Sequence, residues 1–221
     1  MKSEPIDYLL STAWLTLLTA TSITIAWLLA DATRAGLGDY HVLDDAIIAL
    51  LSYGVLSAFT VRLLFRCFPI APGTYSMDDR VFTMWKLITV IYHFGQGALR
   101  PLTPIFLSPA VAALYGARIG KEVALGGTLD APFVIRVGDG AVIGAYSLVS
   151  GNFTTGDKLI FGPVAIGNGA TIGVNCVVYP NTEIGDSATL LGGSYLMPGS
   201  KIPAGETWRG NPARKWIGGN A

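Results

Sequence analysis

The second half of the chain carries an aliphatic residue at every sixth position. The period slips once, between Val149 and Ile160, and then resumes through Ile166. Its members are Ile119, Leu125, Ala131, Val137, Ile143 and Val149 before the slip, and Ile166, Ile172, Val178, Ile184, Leu190, Leu196 and Ile202 after it. A short fixed period is typical of a solenoid, in which each repeat pairs only with its neighbours.

A six-residue unit predicts one short strand and a turn, and three units predict one triangular coil of about 18 residues. The aliphatic side chains would then point inward and stack on those of the next coil. We expect Ile166, Ile184 and Ile202 to form one column, and Ile172 and Leu190 another. Glycine follows most of the aliphatic residues, which suits corners where φ is positive.

The end of the chain makes a family resemblance specific. It reads Ile202-Pro203-Ala204-Gly205, then Trp208, then Gly210-Asn211-Pro212-Ala213-Arg214. With the repeat, this resembles the hexapeptide-repeat acyltransferases over roughly residues 114–216, and the ending is similar to that of the acetyl-CoA-dependent members. The resemblance implies a left-handed parallel β-helix and a homotrimer with active sites between neighbouring solenoids.

The front half is apolar in a different way. Residues 8–30 contain no charged side chain, and this run is long enough to span the hydrocarbon core of a bilayer. A second apolar run covers residues 46–61. We interpret the two as a transmembrane helical hairpin, with a cleaved signal peptide as the alternative for the first run and a buried core helix for the second.

Charges indicate the orientation of this hairpin. The connector 31–45 holds four aspartates and one arginine, whereas Arg62, Arg66, Arg80 and Lys86 follow the second run. Because basic residues mark the cytoplasmic side, we expect a multi-pass inner-membrane protein with both termini and the solenoid in the cytoplasm.

Three domains follow from these patterns: residues 1–66 as the hairpin, 67–113 as a linker and interfacial helix, and 114–221 as the β-helix with its C-terminal cap. The linker 67–80 is rich in turn residues. Residues 81–99 predict a helix that lies at the interface or re-enters it, ended by Pro101 and Pro104. If that helix spanned the membrane instead, the C-terminal domain would lie outside.

Composition limits the partners. Hydrophobic residues make up 51% of the chain and charged residues 14%, with no net charge. This excludes disorder and gives no sign of a nucleic-acid partner, and it agrees with membrane contact or a buried oligomer interface. Two cysteines and two histidines are too few for a disulfide framework or a histidine-rich metal site, so no metal is expected.

The front half also resembles, more loosely, the membrane-attached modules at the ends of some nonribosomal peptide and poly-amino-acid synthetases. The likeness rests on the hairpin, on Gly73-Thr74-Tyr75 and on the run from Leu114 to Val123. Asn152 falls about where relatives of that type carry a histidine. Asparagine cannot act as a base near neutral pH.

His93 is the remaining candidate base, because an imidazole titrates near neutral pH. The alternative is a histidine that anchors an interfacial helix. Tyr146, Asp139 and Asp157 are further candidates for accepting a proton or orienting a group, although structural roles suit each of them better.

The phosphates of coenzyme A require cations. We expect Lys201, Arg209, Arg214 and Lys215 to bind them, Trp208 to cover the adenine or pantetheine, and the backbone at Gly173 and Gly192 to approach the thioester. A solvated cap on an apolar solenoid is the alternative.

The sequence therefore predicts a membrane-anchored acyltransferase. It would move an acyl group, acetyl first of all, from coenzyme A to a hydroxyl or amine of a lipid-linked or amphipathic acceptor. The alternative is a non-catalytic trimeric scaffold in the membrane.

Overall fold

The computed structural model describes residues 4–217, and the chain in it divides into two compact units. The helical unit comprises residues up to Pro69 together with Arg80–Thr103. The solenoid unit comprises Ile70–Asp79 and the residues from Pro104 onward. The segment between the second and third helices thus belongs to the solenoid unit.

The helical unit contains three long helices, α1 (Pro5–Leu37), α2 (His41–Cys67) and α3 (Arg80–Leu99). α1 begins with a capping box. The Glu4 side chain accepts a hydrogen bond from the backbone N–H of Asp7, and the Asp7 side chain accepts one from the backbone N–H of Glu4. α3 ends one residue before a 3₁₀ turn over Arg100–Leu102, at the prolines that were expected to stop it.

The connector 31–45 between the two predicted spans is almost entirely helical. α1 continues through Asp31 and Arg34, and only Gly38–Tyr40 leaves the α-helical path, as a 3₁₀ turn. The hydrogen bonds of Asp45 explain the short connection, because its carboxylate accepts from Thr33 (2.7 Å) on α1 and lies 2.9 Å from His41 Nδ1.

One helical segment among residues 4–217, Pro5–Cys67, is long and apolar enough to cross a membrane by length and composition. That segment contains both predicted spans. Its division into a transmembrane hairpin stays a prediction.

The solenoid unit is built from very short strands, labelled in chain order. The five-stranded sheet is parallel and contains β2 (Arg118–Ile119), β5 (Ile135–Val137), β10 (Val164–Ile166), β13 (Thr182–Ile184) and β16 (Lys201–Ile202). The six-stranded sheet contains β3 (Ala124–Leu125), β6 (Val142–Ile143), β11 (Thr171–Ile172), β14 (Thr189–Leu190), β17 (Thr207–Gly210) and the antiparallel β18 (Ala213–Lys215). The four-stranded sheet contains β4 (Thr128–Asp130), β7 (Leu148–Ser150), β12 (Val177–Val178) and β15 (Tyr195–Leu196).

The predicted columns are confirmed. Ile166 pairs in register with Ile184, and Ile184 with Ile202, while Ile172 pairs with Leu190. All five side chains are buried in one continuous apolar core. The short helix α4 (Ser108–Leu114) precedes the first coil and contributes Ala112 to this core.

The period fails at two positions. Leu129, not Ala131, lies beside Val149 in the four-stranded sheet, and Ala131 has a left-handed backbone that starts a 3₁₀ turn. Ile160 is half-buried in β9 (Lys158–Phe161), which pairs with β8 (Asn152–Thr155) as an antiparallel hairpin outside the coils.

The predicted linker supplies a third strand to that hairpin. β1 (Gly73–Ser76) pairs antiparallel with β9, with Gly73 opposite Phe161 and Ser76 opposite Lys158. Sequence patterns did not predict this strand, since four residues in a turn-rich segment carry no periodicity.

The repeated glycines serve a different purpose from the one expected. A Cβ at Gly185 would lie 2.5 Å from the backbone nitrogen and 2.8 Å from the Cα of Ala204 in the next coil. The positive φ angles occur two residues later in each turn instead, for example at Asn175 (56°) and Ser187 (55°). These glycines therefore let successive coils approach closely.

We predict that Gly185→Ala destabilises the solenoid by about 1–3 kcal/mol, because the added methyl overpacks a backbone contact that cannot yield. The matched control is Gly199→Asn, at a turn with φ 77° and nothing within 4 Å of an added Cβ, where asparagine tolerates the backbone. Thermal unfolding measures both variants. Equal melting temperatures for the two variants would contradict the close-approach explanation.

Candidate functional site

The C-terminal hairpin, formed by β17 and β18, closes the six-stranded sheet. Trp208 lies opposite Lys215, and Arg209 opposite Arg214. Residues directly opposite in an antiparallel pair project from the same face. The hairpin therefore presents Trp208 and Lys215 on one face and the two arginines on the other.

Glu206 contacts both residues of the face that carries Trp208 and Lys215. Its carboxylate accepts a hydrogen bond from Trp208 Nε1 at 2.9 Å and forms an ion pair with Lys215 Nζ at 2.6 Å. The Lys215 ammonium, and then the Trp208 N–H, lower the pKa of Glu206 below its usual value. Because the Trp208 ring also packs against the solenoid core, this face fastens the end of the chain to the last coil.

The two arginines face outward and are exposed. The Arg209 guanidinium lies 5.5 Å from the centre of the Trp216 ring, and Arg214 donates to the carbonyl of Ala213. Within residues 4–217 neither arginine forms an ion pair with a carboxylate. Like charges directly opposite each other cost stability, and an anion bound between them would relieve that cost.

Lys201 lies apart from this cluster. It belongs to β16 in the five-stranded sheet, and its ammonium is 3.0 Å from the Glu183 carboxylate on β13. The structure thus places Trp208, Arg209, Arg214 and Lys215 on one hairpin, whereas Lys201 lies on another side of the triangular coil.

Gly173 and Gly192 are neighbours in successive coils, just after β11 and β14. A Cβ on Gly173 would lie 2.5 Å from the nitrogen of Gly192, and one on Gly192 would lie 3.2 Å from the carbonyl oxygen of Val174. Gly173 is required for the stacking of coils, and this gives it a structural role whether or not a thioester approaches it.

Asn152 sits in a polar cluster at the base of the β8–β9 hairpin. Its side-chain N–H donates to the Asp130 carboxylate at 2.8 Å, and the buried Ser150 hydroxyl lies 3.0 Å from the same oxygen. Sequence reasoning missed Asp130 and Ser150, although the register of β4 with β7 makes them direct partners. This cluster can orient a polar group but offers no imidazole.

His93 lies in the helical unit, exposed on α3, with its ring centre 5.2 Å from that of Tyr92. Asn152 belongs to the solenoid unit. Among the further candidates, Tyr146 is 90% exposed, and Asp139 accepts a hydrogen bond from the backbone of Lys121 at 2.8 Å. Asp157 is exposed at the tip of the β8–β9 hairpin.

The cysteines do not suggest a covalent mechanism. Cys176 is buried in the solenoid core, and burial raises the pKa of its thiol, so the sulfur stays protonated at neutral pH. Cys67 is exposed at the end of α2. Within residues 4–217 no three histidine, cysteine or acidic side chains come together as metal ligands.

Neither a known family model nor a curated protein matches this chain. Its fold is similar to solved structures of acetyltransferases. A hexapeptide-repeat-containing acetyltransferase from Vibrio cholerae is 22% identical, with 46% of this chain and 62% of that chain covered and a TM-score of 0.42. A galactoside acetyltransferase in complex with coenzyme A is 16% identical over 75% of this chain and 80% of that chain, with a TM-score of 0.43.

A maltose O-acetyltransferase from Clostridium difficile is 18% identical over 74% of this chain and 86% of that chain, with a TM-score of 0.39. The Vibrio protein has also been solved with acetyl coenzyme A. This chain spans less than two thirds of the length of the Vibrio protein. Because all three identities are below 25% and all three TM-scores below 0.5, the likeness carries nothing about activity.

We predict that acid loosens the C-terminal hairpin. The pKa of Glu206 is lowered in the folded chain, so its ion pair with Lys215 stabilises the fold above the unfolded pKa of about 4.3 and is lost as the pH falls through the lower folded value. Wild type should therefore melt at a higher temperature than Glu206→Gln at pH 7, and the difference should shrink below about pH 4. An equal difference at both pH values would contradict this role.

Proposed function

We propose that this chain is a membrane-anchored acyltransferase that moves an acyl group, acetyl first of all, from coenzyme A to a hydroxyl or amine of an amphipathic acceptor. The observation that carries the proposal is the facing pair Arg209 and Arg214 at the end of the solenoid. Two guanidiniums on one face suit a ligand with several phosphate oxygens, since each can bind oxygens in a bidentate manner.

Coenzyme A meets this requirement at its phosphate end, while its pantetheine arm needs an apolar groove. The ring of Trp216, whose centre lies 5.5 Å from the Arg209 guanidinium, offers an aromatic surface beside the pair. We include Trp208 and Lys215 as the support of the hairpin, because Glu206 already occupies their polar atoms. Lys201, on another sheet, lies outside the proposed coenzyme site.

The reaction needs a base, a hydrogen-bond donor that stabilises the oxyanion, and a thiolate leaving group. The base removes the proton of the acceptor hydroxyl or amine, whose oxygen or nitrogen attacks the thioester carbonyl. The tetrahedral oxyanion collapses, the carbon–sulfur bond breaks and coenzyme A leaves as the thiol after taking up a proton. Backbone N–H groups can hold the oxyanion, and no metal is required.

We assign the base to His93. The side-chain amide of Asn152 donates a hydrogen bond to the Asp130 carboxylate, so the solenoid unit holds a carboxylate–amide pair where the family resemblance would place an imidazole. An exposed imidazole on α3 can exchange protons with an acceptor that binds to the helical unit. We further propose a left-handed solenoid, as the family resemblance implies, and a homotrimer, whose buried interface the low charge content supports.

The pairing of β1 with β9 supports the proposed cytoplasmic location of the solenoid. β1 precedes α3 in the chain and β9 follows it, yet the two strands share a sheet. A single membrane crossing by α3 would separate them. Residues 73–76 follow the basic end of α2, which the charge pattern assigns to the cytoplasm.

Large apolar side chains exposed on α1 and α2 support membrane attachment. Trp27 is 72% exposed, Leu28 67% and Phe59 66%. Soluble monomers rarely expose contiguous apolar surface of this kind.

The second candidate is a non-catalytic scaffold, and Asn152 is the observation that favours it. A solenoid that has lost its base keeps its shape and its oligomer interface. The scaffold and the transferase differ in whether coenzyme A binds and in whether His93 affects turnover.

We predict saturable acetyl-CoA binding that weakens at least tenfold in the double variant Arg209→Ala/Arg214→Ala, because charge-assisted contacts to phosphate are lost. Calorimetry on full-length protein in detergent measures it. Lys201→Ala is the matched control and should leave the affinity unchanged. Absence of binding at millimolar acetyl-CoA, or equal weakening by Lys201→Ala, would contradict the proposed coenzyme site.

We predict that His93→Ala lowers kcat at least 100-fold while the affinity for acetyl-CoA is unchanged, as removal of a general base does. Release of coenzyme A in the presence of extracted membrane lipid measures kcat. Asn152→Ala should reduce it far less. If coenzyme A binds but wild type and His93→Ala release it equally slowly, the scaffold is the better description.

A further inference from the structure

A cavity of about 390 Å³ lies against the five-stranded sheet of the solenoid unit. Arg118 on β2 and Arg136 on β5 both line it. Its apolar walls include Pro72, Phe133, Val134 and Pro163, which all belong to the same unit. The cavity therefore brings two cations together with an apolar surface.

The two arginines are direct neighbours across the sheet. Arg118 pairs in register with Arg136 on parallel strands, so their backbones are about 4.8 Å apart and their side chains project from the same face. Ile135 and Val137, on either side of Arg136, are buried in the solenoid core, and both arginines are exposed. The pair therefore points away from the core, and both guanidiniums can reach one ligand in the cavity.

No acidic side chain balances this pair. In the part of the chain that the structure describes, neither Arg118 nor Arg136 forms an ion pair with a carboxylate. The residues that continue the register from Arg136 are Ala165, Glu183 and Lys201. Ala165 is uncharged, and the Glu183 carboxylate lies 3.0 Å from the Lys201 ammonium. Two like charges side by side cost stability, and an anion bound between them would remove that cost.

The charge of the pair favours a phosphate monoester as the anion. Such a group carries a charge of about −1.5 to −2 at neutral pH, whereas a carboxylate carries one negative charge. Each guanidinium can bind two phosphate oxygens in a bidentate manner. A phosphate monoester therefore matches both the charge and the hydrogen-bond donors of Arg118 and Arg136.

The walls favour a ligand with an apolar group beside its phosphate. The Phe133 ring stacks on the Phe161 ring with 6.3 Å between their centres, which fixes this wall against the β8–β9 hairpin. Pro72 and Pro163 are exposed and offer further apolar surface. Small-molecule sites commonly have volumes of about 300–1,000 Å³, so the cavity can hold more than a phosphate alone.

We infer that Arg118, Arg136 and the apolar walls around Phe133 form a binding site for a phosphate monoester that carries an apolar group. The site differs from the proposed coenzyme site, because Arg209 and Arg214 lie on the hairpin of the six-stranded sheet. Binding at the Arg118–Arg136 pair does not depend on acyltransferase activity.

Calorimetry with phenyl phosphate tests the site on full-length protein in phosphatidylcholine nanodiscs. We expect saturable binding of one molecule per chain. Inorganic phosphate should bind at least tenfold more weakly because it leaves the apolar walls uncovered, and phenyl sulfate at least tenfold more weakly because it carries one charge. Absence of phenyl phosphate binding at millimolar concentration would overturn the site, and equal affinity for the three anions would overturn the assigned ligand class.

Substitution of the pair tests its part in binding. Arg118→Gln/Arg136→Gln should weaken phenyl phosphate binding at least tenfold. Lys201→Gln is the matched control, because Lys201 is an exposed cation on the same sheet that does not line the cavity. Thermal unfolding verifies that each variant is folded. Equal affinity in wild type and the double variant would overturn the site.

A second substitution supplies the missing carboxylate. Ala165 lies in register with Arg136, so Ala165→Glu places a negative charge beside the pair and should compete with the ligand. Ala165→Gln has the same length without the charge and should bind phenyl phosphate at least tenfold more tightly than Ala165→Glu. Equal affinity in these two variants would contradict recognition by charge.

Two further comparisons identify the source of the ligand and separate the proposals. Phosphatidic acid in the nanodiscs, with the diester phosphatidylglycerol as control, lowers the apparent affinity for phenyl phosphate if a lipid head group fills the site, and leaves it unchanged if the ligand is soluble. Arg118→Gln/Arg136→Gln should leave the affinity for acetyl-CoA unchanged, and a tenfold loss would overturn a site separate from the coenzyme. Phenyl phosphate binding without acetyl-CoA binding in wild type would remove the transferase and support this site.

Discussion

The close stacking of successive coils is the constraint on which the solenoid depends. Most of its strands are two or three residues long, so each makes few ladder hydrogen bonds. Stability comes instead from aliphatic columns and from corners where one backbone touches the next. At one corner Asp139, Asn168 and Asp186 form a side-chain ladder, each accepting from the backbone of the preceding coil at 2.7–2.9 Å. Glycine at the contact positions is what permits this spacing.

The periodicity could predict the columns because each strand repeats a local choice of residue, and Ile166, Ile184 and Ile202 lie where counting placed them. Counting failed where the coil departs from its period. At the end of β4 the inward position passes from Ala131 to Leu129, and both residues are small or aliphatic, so composition could not separate them. The sequence did not predict β1 for a different reason. Its partner β9 lies far along the chain, and no local pattern in residues 73–76 indicates a strand.

In the candidate site too, the sequence could predict some groupings of residues and not others. Arg209 and Arg214 could be grouped because a tight hairpin puts residues that are close in sequence onto one face. Lys201 is also close in sequence, but in a triangular coil a few residues lead to another side. Asp130 and Ser150 belong together only through the register of two parallel strands, and that register includes a shift that the sequence does not show.

The Asp7–Lys86 ion pair gives two charged residues of the apolar front half a role that the sequence alone did not indicate. In sequence, Asp7 marks the start of an uncharged run and Lys86 interrupts another, so each reads as a limit on membrane insertion. In the fold each neutralises the other inside the helical unit, at a sequence separation of 79 residues. A buried charge is tolerated when it is paired. Within residues 4–217, Asp7 Oδ1 has no hydrogen-bond partner. The polar interior of this unit is therefore a property of the contact between α1 and α3, which neither segment displays alone.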